Sequence, residues 1–314
     1  MYYLSHEQIE NMGVAPATCV SWVETALRVK EQSLLPPKVS ISLDHNVFYN
    51  TMPCYLAGPS RFGVKIVSRF PLRSPALLSQ MLLYDGDNGQ PLVLADGDWI
   101  TAMRTGASAA LSIGLLEHAE ASVYGFVGLG NTARATLLCL LEQRPKKHFT
   151  VRLLKYKDHV EGFIQRFAAY NNLCFEVVES YEALISGADV VVSSVTAADG
   201  TMGEDAWFKK GALVVPIHTR GFQNCDLFFD RVYCDDVDHI RGFKFFDRFK
   251  ILHEMADVIK QPELGRASEE DRILVYNIGI ALLDVYFLNE LYKLADLRVL
   301  PKVDLGLAKK KFWV

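Results

Sequence analysis

A glycine-rich turn within residues 121–136 constrains the fold of this chain of 314 residues more than any other feature. An apolar run ending at Val127 predicts a β-strand, and the small, helix-forming residues that follow predict a helix. Gly128 permits the tight turn, Gly130 lets backbone N–H groups approach a pyrophosphate, and Ala133 allows close packing of helix on strand. The segment therefore predicts a strand, a glycine turn and a helix N-terminus that can bind a dinucleotide.

The segments after this turn alternate between apolar runs and a helical stretch, which is the pattern of a doubly wound parallel sheet. Further strands are predicted at 150–154, 188–195 and 211–217, with a short helix at 181–186. A glycine turn by itself also joins strands to helices that bind no ligand. The alternation favours the nucleotide-binding interpretation, so we predict an α/β protein with a Rossmann-type, doubly wound nucleotide domain.

The segments before the glycine turn predict a separate α+β layer. Helices are expected from Ser5 onward and over 15–33 and 98–116, and strands at 39–43, 47–51, 63–68, 80–84 and 91–95. Past the strands of the nucleotide domain, further helices are expected over 252–260 and 271–295. The helix over 271–295 is apolar nearly all round, which requires burial between domains or in a subunit interface. We predict a Rossmann NAD(P)-binding domain over 116–285 and a discontinuous substrate-binding and dimerisation domain over 1–115 and 286–314.

The end of the second nucleotide-domain strand bears on the choice of cofactor. An acid there accepts hydrogen bonds from a ribose 2′-hydroxyl, whereas basic residues favour a 2′-phosphate. Lys155 and Lys157 favour NADP(H), but lysines are also common at solvated strand ends, so NAD(H) stays open. The residues assigned to the cofactor by this domain are Gly128, Leu129, Gly130, Asn131, Thr132, Lys155, Lys157, Ser194, Val195 and Thr196.

Composition excludes several classes of function. The net charge of −4 argues against a broad nucleic-acid surface. The six cysteines show no CxxC spacing, which predicts buried thiols in a reducing compartment. The first residues lack a signal-peptide pattern and no apolar run reaches transmembrane length. We therefore expect a cytoplasmic protein with neither a nucleic-acid nor a membrane partner.

Three basic residues of the first domain are candidates for anion binding. Lys65 lies in an apolar strand and Arg104 in an alanine-rich helix, where an unpaired charge is unfavourable. Together with Lys38 they could form a cationic pocket for a carboxylate, which arginine binds bidentately. Each could instead reach solvent or pair with a nearby acid.

The acids at 235, 236 and 238, followed by His239, have the composition of a metal site. Their position at a strand end favours a solvated loop instead. We therefore predict no metal.

Several short motifs follow one another over nearly the full length of the chain. They are Asn50-Thr51-Met52-Pro53, Gly63-Val64-Lys65, Asp96-Gly97, Ile100-Thr101-Ala102-Met103-Arg104-Thr105, Gly128-Leu129-Gly130, and Gly279 with Asp284. In these motifs the chain resembles the ornithine cyclodeaminase/mu-crystallin family. The resemblance implies an NAD(P)-dependent two-domain protein, usually a homodimer, that acts on small amino or imino acids. It also implies that Lys38, Asn50, Met52, Lys65 and Arg104 contact the substrate, and that Thr105 contacts the cofactor.

Two positions depart from the cyclodeaminase pattern. Asn50 stands where cyclodeaminases have a glutamate, and Arg220, in a loop that begins at His218, stands at or next to an aspartate position. Because an amide and a positively charged guanidinium replace two carboxylates, the site should repel the cationic side chain of ornithine. We predict instead an imine reductase or amino-acid dehydrogenase whose substrate carries a second anionic group, with Lys65, His218 and Arg220 as catalytic residues.

Three other functions stay open at this point. The first is a cyclodeaminase that releases ammonia from ornithine or lysine and recycles its NAD. The second is a non-catalytic binding protein of the crystallin type, which the two lost carboxylates would favour. The third is a structural role without a cofactor, which the intact glycine turn opposes.

Overall fold

A computed structural model describes residues 1–195, 202–217, 228–306 and 310–312. The chain divides into two compact units. Unit one comprises Met1–Val14, Glu31–Thr101 and Asp284–Val314, and unit two comprises Ala15–Lys30 and Ala102–Leu283. The predicted fold class, a Rossmann-type α/β domain with a second domain, is confirmed.

Unit one is built on a mixed sheet of six strands. Its strands are β1 (Tyr2–Leu4), β2 (Val39–Ser42), β3 (Phe48–Leu56), β4 (Arg61–Arg69), β5 (Leu77–Asp85) and β6 (Pro91–Asp96). Their order is β1-β6-β5-β4-β3-β2, and every pair is antiparallel except β1 with β6. Buried residues alternate with more exposed ones along β3, β4 and β5, so one face of the sheet forms the core.

Unit two is built on a parallel sheet of eight strands. They are β7 (Val123–Val127), β8 (Phe149–Leu154), β9 (Leu173–Val178), β10 (Val190–Ser193), β11 (Leu213–Pro216), β12 (Arg231–Cys234), β13 (Leu252–Glu254) and β14 (Ile273–Tyr276). Their order is β13-β12-β14-β11-β10-β7-β8-β9. Every residue of β10, β11 and β14 is buried. Strands of a parallel sheet are covered on both faces, which is why their sequences are continuous apolar runs.

Helices account for most of the remaining regular structure. They are α1 (His6–Asn11), α2 (Pro16–Arg28), α3 (Asp98–Leu116), α4 (Asn131–Gln143), α5 (His159–Arg166), α6 (Tyr181–Ile185), α7 (Val237–Ile240), α8 (Met255–Lys260) and α9 (Ala281–Leu294). Within the described ranges, none of them is both long enough and apolar enough to cross a membrane.

The compact units differ from the predicted domain boundaries at the N-terminal side. Residues 15–30 and 102–115 belong to unit two rather than to the substrate domain. The Lys30 ammonium forms ion pairs with Asp236 and Glu254, which lie at the ends of two unit-two strands. These contacts attach the segment after α2 to the parallel sheet.

Two predicted helices prove to be partly strand. The predicted helix over 271–295 is wrong in its first part, since Ile273–Tyr276 forms β14 and the helix begins only at Ala281. Gly279, with φ +82°, separates the two elements. Likewise Leu252–Glu254 forms β13 before α8 begins. Most apolar side chains of α9 are already buried in the single chain, and Leu294 at its C-terminal end is the large aliphatic one that is exposed, so the helix does not present an apolar face to a second subunit.

Candidate functional site

The glycine turn after β7 has the backbone that a dinucleotide loop requires. Gly128 has φ +82°, and a Cβ there would lie 3.1–3.2 Å from atoms of Ser194, so both conformation and space require glycine. The Ser194 hydroxyl donates a hydrogen bond of 3.1 Å to the carbonyl of Gly128. A Cβ on Gly130 would meet no atom within 4 Å. The turn is therefore backed by β10 on one side and open at Gly130.

Helix α4 begins directly at this opening. Gly130 is its N-cap residue and supplies no side-chain cap, and the first turn holds no acidic residue. The N–H groups of a helix N-terminus and its partial positive charge attract phosphate. Ala133, at the third position of the pattern, is fully buried. Leu129, Asn131 and Thr132 line the same turn, so the cofactor residues predicted here fit an anionic pyrophosphate.

The two lysines after β8 have different surroundings. The Lys155 ammonium lies 2.8 Å from a carboxylate oxygen of Glu179, and this hydrogen bond lowers the pKa of Glu179. Lys157 adopts φ +50°, and its ammonium lies 5.2 Å from the centroid of the Tyr156 ring. Tyr156 also packs edge-on against His159, with ring centroids 5.4 Å apart. Lys155 is thus partly neutralised by an acid, whereas Lys157 lies on an aromatic surface.

Four predicted substrate residues lie on or beside neighbouring strands of unit one. Asn50 and Met52 alternate along β3, and Met52 pairs with Lys65 of β4. Their side chains therefore share one face of the sheet with Lys65. Lys38 immediately precedes β2 and is half-buried. The structure brings Asn50, Met52 and Lys65 to one sheet face.

Lys65 is buried and paired with an acid. Its ammonium lies 2.7 Å from a carboxylate oxygen of Asp284 in α9, and both side chains are no more than 1% exposed. Sequence reasoning anticipated that a buried lysine requires an anion but did not identify this partner. Asp284, an acid in the otherwise apolar first turn of α9, was the signal that could have identified it.

Arg104 of α3 belongs to unit two and is 5% exposed. Its guanidinium lies against Gly279, where an added Cβ would overlap it. Gly279 also has φ +82°, so replacement there is unfavourable for both reasons. Thr105, the next residue of α3, is buried as well.

A buried polar network stands behind this glycine. Asp235, which is fully buried after β12, accepts hydrogen bonds from the backbone N–H of Gly279 at 2.8 Å and from the side-chain amide of Asn277 at 2.9 Å. Burial raises the pKa of Asp235, while these hydrogen bonds and the charge of Arg104 act in the opposite direction. The network fixes the turn that contacts Arg104.

The expectation of a solvated acidic loop at 235–239 is wrong. Asp236 is 8% exposed, its carboxylate caps α7 by accepting from the N–H of His239, and it pairs with Lys30 at 2.7 Å. Burial raises the pKa of Asp236, but hydrogen bonds from His239 and Lys30 outweigh it and hold the pKa below its usual range. Within the described ranges these acids form structural pairs, and no cluster there could hold a metal.

Three predicted residues lie outside the described part of the chain. They are Thr196, assigned to the cofactor, and His218 and Arg220, assigned to catalysis. Ser194 and Val195, which precede them, follow β10 directly and are half-buried.

Comparisons with known proteins give matches over nearly the full length of the chain. The model of the ornithine cyclodeaminase/mu-crystallin family matches residues 3–296. Nodulation efficiency protein NfeD of Rhizobium meliloti is 25% identical over 94% of this chain and 95% of its own length. Alanine dehydrogenase of Archaeoglobus fulgidus is 24% identical over 92% of this chain and 94% of its own.

A solved structure shares the fold. The Thermococcus litoralis Δ(1)-pyrroline-2-carboxylate reductase, in complex with NADH and L-proline, superposes with a TM-score of 0.85 at 22% identity. The match covers 96% of this chain and 100% of that one.

Proposed function

This chain belongs to the ornithine cyclodeaminase/mu-crystallin family, and we propose that it is an NAD(P)(H)-dependent oxidoreductase that interconverts an amino acid and its imine. The open glycine turn at the N-terminus of α4 carries the proposal, because it offers a pyrophosphate site without a side chain in the way. The names of two similar proteins, an alanine dehydrogenase and a pyrroline-carboxylate reductase, support the reaction class. The nicotinamide, when bound, would supply or accept the hydride.

The protein's own residues would bind and orient the substrate. We assign the substrate carboxylate to Arg104 and Lys65, with Lys38, Asn50 and Met52 completing the site. The guanidinium suits a carboxylate because it binds both oxygens at once. We assign proton transfer at the substrate nitrogen to His218, since histidine changes charge near neutral pH. Arg220 would bind a second anionic group of the substrate.

A substrate screen tests this function. We expect NADPH or NADH to be oxidised by imines formed from ammonia and 2-oxo acids, faster with oxaloacetate than with pyruvate because of the second carboxylate. Release of ammonia from ornithine or lysine without net cofactor oxidation would instead indicate a cyclodeaminase. Cofactor binding with no turnover of any imine would indicate a non-catalytic binding protein.

The preference between NADP(H) and NAD(H) can be tested by replacing Lys157. We propose that Lys157, rather than Lys155, binds the 2′-phosphate of NADP(H), because Lys155 already pairs with Glu179. Lys157→Ala should raise the Kd of NADPH about tenfold and leave that of NADH within about twofold, as expected for one charged hydrogen bond. A fluorescence titration with each nucleotide measures both constants.

The matched control is Lys155→Ala, which should change the Kd of NADPH much less. Unchanged NADPH binding in Lys157→Ala would refute the assignment. A chain that binds NADH more tightly than NADPH would refute the preference itself.

We also propose a homodimer, formed over an apolar surface of unit one. The sheet face opposite Lys65 carries Val39 and Ile41 of edge strand β2, Tyr49 of β3 and Ile66 of β4, each at least 41% exposed. A contiguous exposed apolar face of this kind marks a protein–protein contact.

A further inference from the structure

Lys65 is held in an apolar environment by one sheet face. Along β4 the buried positions are Gly63, Lys65 and Val67. Across the sheet Lys65 pairs with Met52 of β3 and Met81 of β5, both of which are at least 95% buried. A charged ammonium among methionine side chains is costly unless an anion accompanies it.

The sequence of β4 brings that anion into place. A Cβ on Gly63 would lie 2.7–2.8 Å from both methyl groups of Val285, so glycine is what allows α9 to approach this strand. Asp284 is the preceding residue of α9, and the approach places its carboxylate 2.7 Å from the Lys65 ammonium. The glycine, the lysine and the acid therefore form one packing arrangement within unit one.

We infer that Asp284 is a positioning residue that fixes the ammonium of Lys65 and keeps it charged for binding of the substrate carboxylate. The inference rests on the proposed function and adds a role for one more residue of its substrate site. An adjacent carboxylate favours the ammonium over the neutral amine. Lys65 is thereby suited to be a permanent anion ligand, and proton transfer falls to another group.

Another titratable group near this pair adds no charge to it. Burial, together with the charge of Asp284, raises the pKa of the Cys54 thiol of β3 to about 12. Cys54 therefore stays a neutral thiol at physiological pH and places no second negative charge beside Asp284.

Replacement of Asp284 by asparagine tests the inference through binding. Pyruvate, oxaloacetate and L-proline serve as carboxylate probes, titrated against the complex with NADPH or NADH. In Asp284→Asn we expect probe affinity to fall at least about tenfold, since a charged hydrogen-bonding partner is lost. Nucleotide affinity should stay within about twofold.

Two further variants keep the test decisive. Asp284→Glu retains the charge and should recover part of the probe affinity. The double variant Lys65→Met with Asp284→Leu removes both buried charges together. Because proteins tolerate the replacement of a buried ion pair by apolar residues, this variant should fold and bind nucleotide, but it should no longer bind the carboxylate probes.

Different experimental results would overturn the inference and the proposed function. Unchanged probe affinity in Asp284→Asn, or no recovery of affinity in Asp284→Glu, would overturn the positioning role while the enzyme function stands. Wild-type protein that binds nucleotide but none of the probes would overturn both. Probe binding that survives in the double variant would also overturn the inference.

Discussion

Arg104→Met should abolish efficient use of carboxylate substrates. We expect the KM for the imine to rise about 30-fold or more, which corresponds to the loss of about 2 kcal/mol or more from a buried charge pair. The guanidinium is 5% exposed and lies against Gly279, so a bound carboxylate would face it with little solvent screening. Steady-state kinetics at several imine concentrations measures the change.

Arg104→Lys is the matched variant. It keeps the charge but loses the planar pair of donors, so its KM should lie between those of wild type and Arg104→Met. The Kd of NADPH should stay within about twofold in both variants. An unchanged KM in Arg104→Met would contradict the assignment of Arg104 to the carboxylate.

Gly106→Ala should destabilise unit two and weaken nucleotide binding. A Cβ on Gly106 of α3 would lie 2.5 Å from both the carbonyl carbon and the Cβ of Ala135 and 2.6 Å from the backbone nitrogen of Thr136. These are mostly backbone atoms of α4, so α3 and α4 must separate. Overpacking of this kind costs about 1–3 kcal/mol, which corresponds to a fall in Tm of about 2–4 °C for each kcal/mol in a domain of this size.

The control for this variant is Gly162→Ala in α5. There the nearest atom to an added Cβ is a guanidinium nitrogen of Arg134 at 3.4 Å, the flexible end of a side chain. Alanine in a helix interior should then stabilise the protein by up to about 1 kcal/mol. Thermal unfolding compares the two variants, and a Tm for Gly106→Ala at or above that of wild type would contradict the packing argument.

The parts of the fold that could be predicted are those fixed by local chemistry. The turn at Gly128 and the strand and helix around it follow from residues adjacent in sequence, and β7 and α4 lie where they were predicted. By contrast, Ile273–Tyr276 was assigned to a helix. The sequence of a short apolar run does not distinguish a buried strand from a buried helix. In this segment the distinction depends on its pairing with β11 and β12.

The site shows the same division between local and distant determinants. The need of Lys65 for an anion follows from the apolar residues around it, but the identity of Asp284 depends on how α9 packs on β4. Asp235 was expected in a solvated loop, and its burial arises from the turn at Gly279, far along the chain. The roles of His218 and Arg220 stay predictions from sequence, since both lie outside the described residues.

Hydride transfer to the carbon that bears the substrate nitrogen is tested most directly with a deuterated cofactor. The purified chain is incubated with NADPH or NADH in which both hydrogens of the transferring carbon of the nicotinamide are deuterium, together with ammonia and oxaloacetate or pyruvate. We predict an amino acid with one deuterium on its α-carbon, formed in the same amount as oxidised cofactor. An amino acid without deuterium, or no oxidation of either cofactor by any imine, would contradict the proposed reaction.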